Sequence, residues 1–173
     1  AYSQVPGTIE FTDHSGRLPP VQQGQNLLFR FPYQVSAAGP VTVLGVHQEC
    51  GCMTGSLLAG QTLAAGERGL LEINVDTSKF VGAFDKLFVL ITNDRPKAAH
   101  TFRLISRINP SIHWQPTIVQ INPQDKQQIT KVRIWSAQKQ ALEIKNVRFN
   151  AKVFDVEYAK VASGWEVQIR WKG

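Results

Sequence analysis

From residue 26 to residue 35 apolar and polar side chains alternate, with Leu27, Phe29, Phe31 and Tyr33 on one side and Arg30 and Gln34 on the other. A period of two sends neighbouring side chains to opposite faces of an extended chain, so this stretch is a half-buried strand, not a helix. Pro32 has no backbone donor and predicts an edge strand or a bulge at its position. Further strands are read at residues 8–11, 41–46, 70–75, 86–92 and 100–108, with 86–92 apolar enough to be central. Nowhere do apolar residues hold a 3.6-residue period for three turns. Turn-forming clusters punctuate the strands at residues 13–16, 38–40, 65–69, 76–79 and 93–96. Short strands at this spacing predict an all-β chain that opens with an immunoglobulin-like β-sandwich.

Between Pro110 and Pro116 the chain changes character, and the domain boundary is placed there: 1–109 for the first domain, 110–173 for the second. Residues 117–121 resemble 8–11, residues 129–135 resemble 26–33, and residues 142–147 align with 41–46. This is a divergent internal repeat, so the second domain is expected to be a second immunoglobulin-like β domain. In that register Ala151 stands where Cys50 does, and Val153 where Cys52 does. About five strands are too few to close a sandwich unaided. The second copy therefore either packs on the first or stops short of its natural end. Trp135, Trp165 and Trp171 are expected to pack between sheets. Trp114 completes the set of four, all in the last third.

With 43% apolar and 18% charged residues in 173, the chain can build a core. No apolar run approaches the roughly 20 residues needed to span a bilayer as a helix, so no transmembrane segment is expected. The net charge of +6 is concentrated late: residues 1–115 carry 9 Lys/Arg against 8 Asp/Glu, and residues 116–173 carry 10 against 5. These cations mostly alternate with apolar residues, as on the wet face of a sheet, and no nucleic-acid motif accompanies them.

Chemistry is concentrated in residues 46–54, Val-His-Gln-Glu-Cys-Gly-Cys-Met-Thr, which hold both cysteines and the single methionine. His47, Cys50, Cys52 and Met53 are four soft or borderline donors within seven positions, a composition that suits copper(I). In an extended chain Cys50 and Cys52 share a face, and Gly51 lets the backbone bend to bring their sulfurs together. His47 has the wrong parity and needs a turn or bulge at residues 48–49 to join them. Zinc wants four donors, and only three good ones lie here. A second reading is thiol–disulfide chemistry, since a bridge between residues i and i+2 closes a very small ring. Against it, no helix N-terminus is predicted at Cys50 and Glu49 opposes a thiolate. A third reading is structural, with the pair capping one end of the sandwich as buried thiols or as a disulfide.

Other candidates are weaker. His14, His100 and His113 are scattered and read as surface or turn residues. Asp76, Asp85 and Asp94 are read as loop residues whose spacing fits no calcium loop. Ser15, Ser36 and Ser56 lack a nucleophile elbow, and no phosphate-binding glycine loop or dinucleotide fingerprint occurs. No enzyme is expected.

The stretch Val46 to Thr54 resembles a bacterial family of unknown function built around a Cys-Gly-Cys-Thr motif. Its domains look like immunoglobulin-like modules of the abnormal-spindle and Hydin type. The resemblance extends over roughly residues 6–108. It also rests on Ala65-Gly66-Glu67, on Val75-Asp76-Thr77-Ser78, and on Gly82-Ala83-Phe84-Asp85-Lys86 leading to Thr92-Asn93-Asp94. Met53 departs from the pattern by interrupting Cys-Gly-Cys-Thr. The resemblance implies a seven-stranded sandwich in an exported, periplasmic bacterial protein, and implies no activity. The expected function is a non-catalytic binding or assembly module of the cell envelope, carrying a Cys50-Gly51-Cys52 site and docking on another envelope protein or complex. The alternative is a periplasmic copper(I) carrier or metal-centre assembly protein using Cys50, Cys52 and Met53 or His47.

Overall fold

The computed structural model describes residues 7–125, 127–138 and 141–173. Its strands up to Asn109 are β1 (Ile9–Phe11), β2 (Ser15–Arg17), β3 (Val21–Gln22), β4 (Leu27–Val35), β5 (Val41–Gln48), β6 (Met53–Gly55), β7 (Thr62–Leu63), β8 (Arg68–Val75), β9 (Gly82–Thr92) and β10 (Ala99–Asn109). One sheet runs β1-β4-β8-β6 and the other β2-β10-β9-β5-β7, with β3 also on β10. The long ladders are antiparallel, whereas β2 and β3 lie parallel to β10. Strand β9 is central, between β10 and β5, as its apolar run predicts.

The period-two pattern decides which face is buried. In β4, Leu27, Phe29, Phe31, Tyr33 and Val35 turn inward while the residues between them are exposed. In β10, His100, Phe102, Leu104, Ser106 and Ile108 do the same. The two inner faces close on one core, in which Phe102 packs against Phe31 and Phe11 at ring-centroid distances of 4.7 and 4.8 Å. Burying each such ring stabilises the fold by about 1.5–3 kcal/mol. The result is an immunoglobulin-like β-sandwich. Among the described residues no helix is long and apolar enough to cross a membrane.

Three local expectations change. Pro32 lies on an interior strand, not an edge: β4 pairs with β1 on one side and β8 on the other. It is tolerated because its missing donor faces the place where the β1 ladder runs out, beside Thr12, whose N–H donates to the Pro32 carbonyl. The loop read at residues 13–16 contains β2, which uses the free edge of β10. Asp85 belongs to β9, not to a loop, and holds Arg103 of β10 in a two-pronged ion pair.

Packing is tight where β6 crosses the core. A Cβ added at Gly55 would stand 2.6 Å from Cζ of buried Phe88. Gly55→Ala is expected to cost about 1–3 kcal/mol through displacement of that ring. Chemical denaturation of the variant checks this, and an unchanged midpoint would show that the ring moves freely.

The chain divides after Asn109, with a second compact unit beginning at Pro110. This unit holds β11 (Ile112–Gln115), β12 (Ile129–Ser136), β13 (Phe154–Val161) and β14 (Gly164–Trp171) in one antiparallel sheet ordered β11-β12-β14-β13. That order matches β1-β4-β8-β6 strand for strand. The register agrees as well. Met53 opens β6 opposite Val75, the last residue of β8, and Phe154 opens β13 opposite Trp171, the last residue of β14. The Asp76 N–H donates to the Cys52 carbonyl at 2.8 Å, and the Lys172 N–H donates to the Val153 carbonyl at the same distance. In this sheet β11, not residues 117–121, stands where β1 does, so the alignment of 117–121 with 8–11 is corrected.

The rest of the second copy departs from expectation. Residues 117–121 and 142–147, read as strands, pair with no strand among the described residues. Residues 142–147 correspond to β5, whose ladder in the first unit is made with β9. The described second unit has no counterpart of β9 for them to join. Trp135, Trp165 and Trp171 accordingly lie half-buried on a single sheet instead of between two. Trp114 is 52% exposed.

Candidate functional site

Strand β5 belongs to one sheet and β6 to the other, so the chain must cross between them in residues 49–52. This crossing is a turn, closed by a hydrogen bond from the Met53 N–H to the Cys50 carbonyl at 3.4 Å. Cys50 and Cys52 are therefore not side by side on an extended strand; they are joined by a disulfide across the turn. Both sulfur residues are half-buried and rest on the edge of the core. Gly51 is exposed, has no left-handed φ, and an added Cβ would meet nothing within 4 Å. The bend does not require glycine there.

The four sequence-predicted donors do not converge. Met53 is fully buried, its thioether in the hydrophobic core. It enters there because β6 must turn one side chain inward opposite Val75. His47 is exposed on β5, next to Val46, which packs on the core, so its imidazole lies on the outer face of the sheet. The bulge in β5 falls between Val43 and Gly45, too early to bring His47 round. What remains together is the Cys50–Gly51–Cys52 turn. Beside it opens a cleft of about 390 Å³ whose other walls include Asp76, Ser78, Lys79 and Phe80.

The surroundings of the turn are neutralised locally. The Glu49 carboxylate accepts the Leu87 N–H at 3.1 Å and lies 4.0 Å from the Lys86 ammonium. Asp76 accepts the Ser78 N–H at 2.9 Å, and this hydrogen bond holds its carboxyl below the usual range. Thr77, fully buried between them, donates to the Gln25 carbonyl at 2.6 Å and accepts the Gly24 N–H at 3.0 Å. The Val75–Ser78 stretch is thereby pinned to the start of β4. Glu67 works in the same way at another turn. It accepts the Ala64 N–H and the Tyr33 hydroxyl, and burial with that hydrogen bond pushes the phenol up to about 12.

A second group of polar residues is one that sequence reasoning missed. His100, read as a surface or turn residue, is 1% exposed. It sits in the inward series of β10, two residues before Phe102, and that parity was the available signal. Its ring lies 5.2 Å from Phe11 and stacks on half-buried His14 at 6.1 Å. Neither of its nitrogens makes a well-formed hydrogen bond among the described residues. Burial, reinforced by the charges of Lys97 and His14, pushes the imidazole down to about 4; Asp94 and the Lys97 backbone oppose the shift. Asp94 is itself buried and accepts the Ile9 N–H at 3.1 Å, tying β1 to the end of β9. His113 stays apart, stacked on Trp135 in the second unit.

Fold and turn together define an immunoglobulin-like protein with a disulfide-closed Cys-x-Cys crossing between its two sheets. The chain belongs to a family described as protein of unknown function (DUF1573), whose model matches residues 9–106. Among solved structures it is similar to a protein of unknown function from Porphyromonas gingivalis W83, with 15% identity and a TM-score of 0.52 over 62% of this chain. The match spans 49% of that protein, so this chain corresponds to about half its length. It is also similar to the ASH/PapD-like domain 7 of human CEP192, at 11% identity and a TM-score of 0.46, over 59% of this chain and 85% of that one. A third similarity is to the VesB protease of Vibrio cholerae, at 19% identity and 0.43, over 61% and 32%. No match was found among curated proteins.

Proposed function

We propose that this protein is a non-catalytic docking module of the cell envelope, whose second unit offers residues 142–147 as a strand for pairing with a partner protein. The observation behind this reading is an apolar sheet face only half covered among the described residues. By register, Val132, Ile134, Val156, Trp165 and Ile169 share one face with Val167. Only Val167 is buried, at 8% exposure, whereas the first unit buries 21 hydrophobic residues in one core. Residues 142–147 keep the alternation of a strand, with Leu142 and Ile144 turned in, yet make no ladder. A segment patterned for pairing beside a half-covered apolar face suits strand addition, where main-chain hydrogen bonds supply affinity and alternate side chains supply specificity. The excess of cations in this unit favours an acidic partner.

Copper(I) carriage is the weaker reading. It needs the disulfide reduced and a third donor other than core-buried Met53 or outward-facing His47.

The docking reading is tested by replacing Ile144 with the photo-crosslinker benzoylphenylalanine in cells that make the protein. Irradiation is expected to yield a discrete adduct with an envelope protein, and the same adduct when both cysteines are changed to serine. Illumination that gives no adduct, or only scattered cytosolic ones, would remove the reading. Anaerobic copper(I) titration of the untreated protein runs beside it, and a tight stoichiometric site there would favour the carrier instead.

A further inference from the structure

We infer that the Cys50–Cys52 disulfide is an exchange site, which passes its oxidation state to a dithiol of another polypeptide. This goes beyond the docking role and rests on a different unit of the chain.

The first ground is that the bond does little for the fold. It joins residues two apart within one turn and ties neither sheet to the other. A bridge stabilises mainly by restricting the unfolded chain, and least when the loop it closes is short. The second unit provides the control. Ala151 and Val153 stand at the two cysteine positions, and the turn still leads into an equivalent strand with the equivalent carbonyl hydrogen bond. A turn ahead of this strand therefore forms without sulfur.

Access is the second ground. The disulfide lies against the cleft, and the residue between its cysteines carries no side chain although the fold has room for one. What glycine leaves is an open approach to the S–S bond. Phe80 offers that cleft an apolar wall and Lys79 a cation, features suited to an extended peptide and to a departing thiolate. Glu49, which by sequence opposes a thiolate, has its carboxylate engaged by the Leu87 N–H and the Lys86 ammonium.

The chemistry balances without a further reagent. A thiolate of the partner dithiol attacks one sulfur of the pair, the Cys50–Cys52 bond breaks, and the other sulfur leaves as a thiolate. The partner's second thiolate then attacks the mixed disulfide. The partner leaves oxidised to a disulfide, the protein keeps two reduced cysteines, and the two protons pass between thiols and water.

The test uses the full chain with dithiothreitol and oxidised glutathione as probes. Dithiothreitol is expected to reduce the pair while the circular dichroism spectrum and melting profile stay those of the folded protein. Cys50→Ser and Cys52→Ser, loaded with oxidised glutathione, are expected to hold a stable mixed disulfide, detected by mass. The wild-type dithiol is expected to clear the same adduct roughly tenfold or more faster, because its second thiol attacks intramolecularly. Unfolding on reduction, or equal adduct lifetimes in wild type and both variants, would overturn the inference. The Ile144 cross-link reads the other unit, so either result leaves the docking reading separately decidable.

Discussion

Phe102→Ala is expected to destabilise the first unit by about 3–5 kcal/mol, the usual cost of emptying a buried phenylalanine site. The ring is fully buried on β10 and touches both sheets at once. It meets Phe31 of β4 at 4.7 Å, Phe11 of β1 at 4.8 Å and the stacked ring of His14 at 5.3 Å. Its neighbours cannot collapse into the space together, because Phe31 and Phe11 are anchored in different strands and His14 in the loop before β2. A loss of this size lowers the melting temperature of a domain of about 100 residues by roughly 12 °C or more. All four tryptophans lie beyond residue 113, so fluorescence follows the second unit. Amide exchange of β10 peptides, or calorimetry, is the measurement that reads this variant. A loss below about 1 kcal/mol would mean that the aromatic cluster is not the centre of the core.

Acid is expected to weaken the same region through His100. Its imidazole is pushed down to about 4 in the folded chain from an ordinary value of 6.5. The folded value is the lower one, so the contribution is fully present above pH 6.5. It is lost as pH falls, because the unfolded chain takes up a proton that the folded chain refuses until about pH 4. A shift of this size corresponds to about 3 kcal/mol across that window. His14, lowered chiefly by burial, adds in the same direction. Carboxylates held low in the folded chain, such as Asp85 beside Arg103, also lose stability in acid, so a variant must isolate the histidine. His100→Gln keeps the polarity without the titration. Between pH 7 and 4 it should lose about 3 kcal/mol less than wild type, measured by denaturant-dependent exchange of β10. Equal losses would assign the acid response to other groups.

Why the resembling motif pieces stand where they do becomes physical in the folded chain. Gly66 takes a φ of 77° in the turn that sets Glu67 under the Tyr33 hydroxyl. Thr77 anchors the stretch after β8 to the start of β4, and the Asn93 side chain accepts the Thr42 N–H at 2.8 Å. Each piece joins a loop to a strand far away in sequence. Local propensity does not reveal such partners; the spacing of the pieces only hints at them.

The alternation of β4 and β10 was legible because side-chain parity is a local property, and with the apolar runs of β8 and β9 came the sandwich of the first unit. The alignment of Cys52 with Val153 was legible for the same reason, whereas residues 117–121 were aligned with β1 and β11 takes that place. Residues 142–147 show where that reading ends. Their pattern is that of a strand, but a ladder needs a second strand, and whether one is at hand is a matter of topology. The donor cluster shows it again. Seven positions hold His47, Cys50, Cys52 and Met53, yet the crossing from one sheet to the other sends the imidazole outward, the thioether into the core and the two sulfurs to each other. The sequence by itself determined the composition of the site and the faces of the strands. Only the tertiary structure decided which donors meet, because side-chain direction at a crossing depends on the sheets that it connects.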